Sequence, residues 1–356
     1  MAVALKRSVR VAPLGDGAVL LLRQGVSPLR LHIPGVETLR FLEALQAGTT
    51  SAELLHAADP QRAAGLSALA FLHREHLLMT PVPVEELPAP EVLDRFDRLL
   101  AYFAEYETPG VTRYDYFARL QGSHVLMLGL GSMSSWVLMH LVASAVGQIT
   151  GVDPDSVALS NLPRQALFPE SSVGTSKIDV VAAWRERVSK FTQFEGRCSE
   201  LASTEDVLQI LDSVERPDLV VLTADQPVTY VVEWAAEACA KLGIPLLRVN
   251  AAGIGPLYMD KDTACPACET TAAAMTEAGQ AFLAYRHGDT WKSSFQSATI
   301  STEISLRGTL AAHEALGLLS NAWAPKSRNH KLQITPQLTT AATPMAVHPD
   351  CVCAIA

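Results

Sequence analysis

No stretch of this chain holds an uninterrupted apolar run long enough to cross a bilayer, although 49% of its 356 residues are hydrophobic. That argues against a membrane-spanning helix and a membrane partner. A signal sequence is missing too. The opening MAVALKRSVRV puts charges where an export signal needs its apolar core, so a cytoplasmic location is expected. Positive charge is in short supply, with 28 Lys and Arg against 37 Asp and Glu and a net charge of −9. This disfavours a nucleic-acid partner, whose phosphate backbone demands basic surface. Internal repeats and low-complexity tracts are also absent. Small molecules and other proteins are left as partners, and the length suits two domains.

The most informative segment runs from Val125 to Lys177. An apolar run (Val125–Leu128) enters a glycine pair, Gly129 and Gly131. A helix-length apolar segment and a second apolar run follow, the latter ending in Asp153. This is the order of a nucleotide-binding βαβ unit. Asn161, Arg164, Gln165 and Lys177 then distinguish it from a dehydrogenase. Hydride transfer needs no Arg and Lys close to the phosphates. Breaking a triphosphate does, because the negative charge that builds up must be neutralised. ATP is therefore expected in preference to NAD.

Upstream, residues 1–80 read as a separate small winged-helix-like α+β module. Extended stretches at Ser8–Pro13, Ala18–Gln24 and Leu29–Ile33 precede helical patterns at Glu37–Gln46, Ser51–Ala57 and Arg62–Glu75. The segment PVPVEELPAP (81–90) reads as a linker, and Glu91–Glu107 as an amphipathic helix. From residue 113 to 356, strand and helix signals alternate, as in a Rossmann-like α/β domain with a mostly parallel sheet. Leu219–Thr223 and Pro245–Asn250 are expected strands there, with a helix at Thr229–Leu242 between them.

The glycine turn, Asp153, Asn161-Leu-Pro-Arg164-Gln165, Gly174-Thr-Ser-Lys177 and Val220-Val-Leu-Thr-Ala-Asp225 together resemble the ThiF-type adenylyltransferases, which are related to the ubiquitin-activating enzymes. The resemblance implies that Gly129 and Gly131 let the backbone approach the nucleotide and that Asp153 binds the ribose hydroxyls. It places Asn161, Arg164, Gln165 and Lys177 near the phosphates, and gives Asp225 a Mg²⁺ ion. The implied reaction is attack of a carboxylate on the α-phosphorus of ATP by a homodimeric enzyme. Whether ATP or CTP is preferred stays open. Two departures from the family pattern stand out. Ser132 and Ser134 replace glycines of the first turn. The arginine that crosses the dimer to the γ-phosphate is replaced by Tyr116, with Arg113 or Arg119 as substitutes.

In residues 1–80, the runs GAVLLL (17–22), FLEALQAGTT (41–50) and FLHREHLL (71–78) resemble the PqqD-like element that holds leader peptides of ribosomally made, modified peptides. In that family the leader adds a strand to a sheet edge. A structural cap is the alternative. The combined order resembles the peptide-maturing branch of the ThiF-type enzymes, of the microcin C type. That implies adenylylation of a carboxylate on a precursor peptide in antibiotic biosynthesis. A catalytically degenerate leader-binding scaffold for a cyclodehydratase, and an activator of a sulfur-carrier or ubiquitin-like protein, remain as alternatives.

Cys265-Pro-Ala-Cys268 and Cys351-Val-Cys353 supply four thiolates that suit a structural Zn²⁺ site, with His348 near enough to replace one of them. Disulfides are the rival reading, disfavoured without an export signal. Of the other two cysteines, Cys239 is expected to be buried in a helix, and Cys198 lies where a strand is expected. No cysteine falls in Thr270–Ser297, where thioester-forming relatives place theirs. The resemblance thus implies adenylation without covalent capture. Glu277, Tyr285, Arg286, His287, Asp289 and Trp291 are candidate substrate contacts, or simply surface residues.

Overall fold

The structure is a computed structural model that describes residues 2–23, 26–34, 36–50, 59–227, 230–287, 298–335 and 337–356. It divides into two compact units, Met1–Ala118 and Arg119–Ala356.

The first unit holds two small antiparallel sheets. In one, β1 (Ala2–Leu5) lies between β5 (Thr49–Thr50) and β6 (Leu78–Met79). In the other, β2 (Arg10–Pro13), β3 (Val19–Arg23) and β4 (Val26–Leu31) form a meander. Helices α1 (Thr38–Ala47) and α2 (Asp59–Arg74) complete the module. Phe41, Leu42 and Leu45 recur at helical spacing, so α1 turns one apolar face onto Leu5, Val19, Leu21, Leu72 and Leu77. Gly48 ends α1 at φ 75°, a left-handed cap that other residues rarely adopt.

Short strands β1 and β6 carry too little pattern to be read in sequence. Leu78 and Met79, expected at a helix end, pair instead with Leu5 and Ala4. The helix expected over Glu91–Glu107 is broken into α3 (Pro90–Arg95), α4 (Asp97–Phe103) and a 3₁₀ turn at Ala104–Tyr106. The break lies at Phe96, which is buried with its ring 5.0 Å from that of Phe117. The helix expected over Ser51–Ala57 lies outside the described residues. The unit boundary falls within α5 (Arg113–Gly122).

The second unit is a Rossmann-like α/β domain built on an eight-stranded sheet. Its parallel part comprises β7 (His124–Leu128), β8 (Gln148–Val152), β9 (Gln193–Arg197), β10 (Leu219–Leu222) and β11 (Leu246–Asn250), in the order β9-β8-β7-β10-β11. Antiparallel strands β12 (Gly253–Tyr258), β13 (His330–Ile334) and β14 (Thr340–Pro344) extend it beyond β11. Every residue of β7 and β10 is buried, because helices cover both faces of a parallel sheet. These helices include α6 (Ser132–Ala143), α7 (Lys177–Val188), α8 (Thr204–Asp212) and α9 (Tyr230–Leu242). After β12 come α10 (Pro266–Ala274), α11 (Glu277–His287) and α12 (Ser301–Ser320), and α13 (Val352–Ile355) ends the chain. No described helix is long and apolar enough to cross a membrane.

α12 packs directly on α6, the helix that follows the glycine turn. Gly308 makes this possible, since a Cβ there would stand 2.6 Å from Cβ of Trp136 and 3.0 Å from the carbonyl of Met133. The Met133 carbonyl is backbone and cannot rotate away. Gly308→Val is therefore expected to destabilise the protein by about 1–3 kcal/mol through overpacking, read as a lower urea midpoint.

Candidate nucleotide site and metal centre

The chain order reverses between β7 and β10, and in an open α/β sheet ligands bind beyond the carboxyl ends of the strands at such a point. Four strand ends meet there. β7 runs into Gly129 and Gly131, and β8 into Asp153. β9 ends at Arg197, while β10 leads to Thr223, Ala224 and Asp225.

Gly129 has a φ of 98°, and a Cβ on it would fall 2.7 Å from the Ala224 amide nitrogen. Both the conformation and the space demand glycine. Thr223 locks the turn by donating its hydroxyl to the Gly129 carbonyl at 2.9 Å. A Cβ on Gly131 would meet nothing within 4 Å, so the chain leaves open space where α6 begins. The first-turn N–H groups of a helix lack intrahelical partners and favour an anion.

Asp153 is 5% exposed and fully engaged. It accepts from the Leu130 N–H at 2.6 Å, from the Asp155 N–H at 2.9 Å and from Lys177 Nζ at 3.2 Å. Lys177 also donates to Asp155 at 2.7 Å. The carboxylate thus joins the glycine turn to the N-terminus of α7. Sequence reasoning missed Thr223 and Asp155, although the Asp153-Pro-Asp155 repeat offered a signal.

Asn161, Arg164 and Gln165 follow β8 in a loop braced by its own backbone. The Ala158 N–H donates to Asn161 Oδ1 at 3.0 Å. Arg164 donates from Nη1 to the Ser160 carbonyl at 2.6 Å and from Nε to Ser132 Oγ at 3.0 Å. Gln165 is 4% exposed, and its buried Oε1 has no hydrogen-bond partner among the described residues. Native interiors seldom leave such an acceptor unpaired, so a donor from a bound molecule fits there. Asp225 is exposed, with no ion pair to a described residue.

The two serines that replace glycines are accommodated differently. Ser134 is buried, and its hydroxyl turns back to the Gly131 carbonyl at 3.0 Å. Ser132 remains half-exposed at the first position of α6. In the first unit, Tyr116 is buried and donates to the Tyr106 carbonyl at 2.6 Å. Arg113 donates there to Glu107 at 2.7 Å and to the Thr80 carbonyl at 3.1 Å. Arg119, in the second unit, donates to the Ser320 carbonyl at 3.2 Å. Glu277 opens α11 on the surface. Asp289, Trp291 and the side chains of Tyr285, Arg286 and His287 lie outside the described residues.

Away from this site, Cys265, Cys268, Cys351 and Cys353 are all buried, with sulfurs within 4.8 Å of one another. Neighbouring S···S distances are 3.5–3.8 Å. A tetrahedral zinc–thiolate centre has S···S edges of about 3.8 Å, so the four sulfurs fit one metal ion. The four thiols share protons: hydrogen bonding from Cys265 draws Cys268 down and takes Cys351 to about 7, while Cys265 and Cys353 are pushed up by their sulfur neighbours. His348 is not one of the set. Its Nδ1 accepts from the Asp350 N–H at 3.2 Å. The paired cysteines lie 83 residues or more apart in sequence, so a metal here would tie α13 to α10. Cys239 is buried in α9 and its thiol is pushed up to about 12 by desolvation, whereas Cys198 is exposed just beyond β9.

Fold and site together define an α/β protein of the doubly wound type, with a glycine turn at its strand ends. More narrowly, the chain belongs to the ThiF family, whose profile matches residues 98–353. It is 32% identical over 184 residues to the adenylyltransferase and sulfurtransferase MOCS3 of Sus scrofa, covering 51% of this chain and 38% of that protein. It is 36% identical over 131 residues to the sulfur carrier protein adenylyltransferase of Thermus thermophilus, covering 36% of this chain and 45% of that protein. The chain thus spans less than half the length of these curated relatives. Its fold is similar to that of E. coli MccB solved with ATP, with a TM-score of 0.74 at 21% identity over 99% of both chains. MccB in complex with N-formylated MccA gives a TM-score of 0.76 at 21% identity, over 99% of this chain and 100% of that one.

Two outcomes follow from this geometry. Lys177→Met strands the buried Asp153 carboxylate and should cost about 3 kcal/mol in urea denaturation, partly recovered by adding Asp153→Asn. Thiol titration at pH 8 should find one fast cysteine of the six, Cys198, rising to five after chelation while Cys239 stays protonated.

Proposed function

We propose that the chain is an ATP-dependent adenylyltransferase that activates a carboxylate on a ribosomally made precursor peptide, as a step in antibiotic biosynthesis. A carboxylate oxygen bonds to the α-phosphorus of ATP, the bond to the β-phosphate oxygen breaks, and pyrophosphate leaves. Asp153 exchanges part of its contact with Lys177 for the ribose hydroxyls when ATP binds, and the glycine turn and first turn of α6 face the phosphates. Arg164 neutralises charge that builds up in the transition state, and Asp225 would hold Mg²⁺, which would supply further positive charge to the triphosphate. Lys177 acts from its place between Asp153 and Asp155, orienting the Asp153 carboxylate towards the ribose and adding positive charge beside the nucleotide. No protein nucleophile is required, because positioning and charge neutralisation are most of the catalysis. The four cysteines bind a structural Zn²⁺, and the enzyme acts as a homodimer in the cytoplasm.

The observation that carries this reading is the Leu130–Asp153–Lys177 linkage beside an open glycine turn, with Arg164 drawn up to the same helix end. The pairing alone would serve a leader-binding scaffold equally well; what favours a catalytic site is the open glycine turn with Arg164 beside it. The curated relatives favour activation of a sulfur carrier. Against that stands the chain before residue 98, which the family profile does not include. Its small sheets suit capture of a leader peptide by strand addition, and the fold likeness to peptide-bound MccB spans them.

ATP–pyrophosphate exchange with short peptides tests the proposal. Peptide-dependent exchange is expected, falling at least about 100-fold in Arg164→Ala and Asp225→Ala. Tight peptide binding without exchange would leave the scaffold reading. Exchange confined to a protein with a diglycine terminus would transfer the activity to carrier activation.

A further inference from the structure

From the contact between Arg164 and the helix end, we infer that Ser132 is a positioning residue for the phosphate-binding arginine, a task a glycine at this place could not perform. The inference rests on the nucleotide reading of this site. Arg164 is half-buried on the loop after β8. Its backbone N–H donates to the Asn161 carbonyl at 3.1 Å, and its Nη1 donates to Ser160, four residues earlier. Both contacts stay within the loop, so neither fixes the guanidinium relative to the glycine turn. The hydrogen bond from Nε to Ser132 Oγ is the one described contact of this side chain that crosses to α6. It sets Arg164 against the end of the helix whose open N–H groups face the anion.

The donor arithmetic extends the point. A hydroxyl has one hydrogen to donate and two lone pairs to accept with, and Arg164 occupies a lone pair. The hydrogen of Ser132 is free of that contact and can be given to a phosphate oxygen. Nη2 of Arg164 has no partner among the described residues, so the guanidinium keeps donors for the same phosphate after Nε is engaged. Ser132 thus aligns a cation while contributing a neutral donor beside it. Ser134, the other serine in the turn, is buried and already donates its one hydrogen to the Gly131 carbonyl, so it has none to give a phosphate.

Calorimetric binding of ATP·Mg²⁺ to the full chain provides the test, because it needs no acceptor substrate. Ser132→Ala keeps the Cβ and the helix and is expected to bind ATP about tenfold more weakly, the size of one charge-assisted hydrogen bond. Ser132→Thr, which restores a hydroxyl, should recover most of the loss. In the Arg164→Ala background, Ser132→Ala should cost much less than in the wild type, since it acts mainly through that arginine. Thermal midpoints of the Ser132 variants should match the wild type. Unchanged affinity in Ser132→Ala, or an effect of equal size in both backgrounds, overturns the inference and leaves the nucleotide site standing. A wild-type chain that binds no ATP overturns both.

Discussion

A buried carboxylate that must be paired governs this molecule. Asp153 sits almost out of reach of water, where an unpartnered charge would cost several kcal/mol. It is held there by the Leu130 N–H from the glycine turn, the Asp155 N–H from its own loop and the Lys177 ammonium from the start of α7. Three segments therefore adopt one mutual geometry or leave a charge uncompensated. Gly129 belongs to the same constraint, because the turn that presents Leu130 needs its left-handed backbone and its missing Cβ. The glycine turn beside this carboxylate is preorganised by the interaction that keeps the fold intact.

The cysteine cluster works on the opposite side of the ledger between local and distant structure. Two short helices, α10 and α13, come from distant parts of the chain, and the four cysteines at their starts lie within metal-binding distance of one another. A metal held there would join these two helices at a place distinct from the glycine turn. Outside this cluster the exposed thiol is Cys198, just beyond β9.

Much of this was legible in the sequence. Glycine, then an apolar helix, then an acid after the next apolar run is a local pattern whose geometry hardly depends on the remainder of the chain. The Cys-x-x-Cys and Cys-x-Cys pairs were equally plain, because metal-ligand spacing is local. Arg164 and Lys177 were read as phosphate-side charges, but the structure gives each a neighbour that spacing does not specify. Lys177 lies between Asp153 and Asp155, and Arg164 reaches back 32 residues to Ser132. The two-residue strand β6 and the broken helix at Phe96 were hidden for a related reason. Two-residue pairings and buried aromatic contacts are set by what packs against them.

The sequence by itself determined the α/β class, the glycine turn and the two cysteine pairs, since each is encoded by residues close together in the chain. Tertiary structure alone decided which charges neutralise one another and which hydroxyl is free. Those are properties of distance, and strands β7, β8, β9 and β10 bring their ends together only when the sheet has assembled. Ser132 illustrates the division. In the sequence it is a missing glycine. In the folded chain it is the hydroxyl that holds an arginine in place.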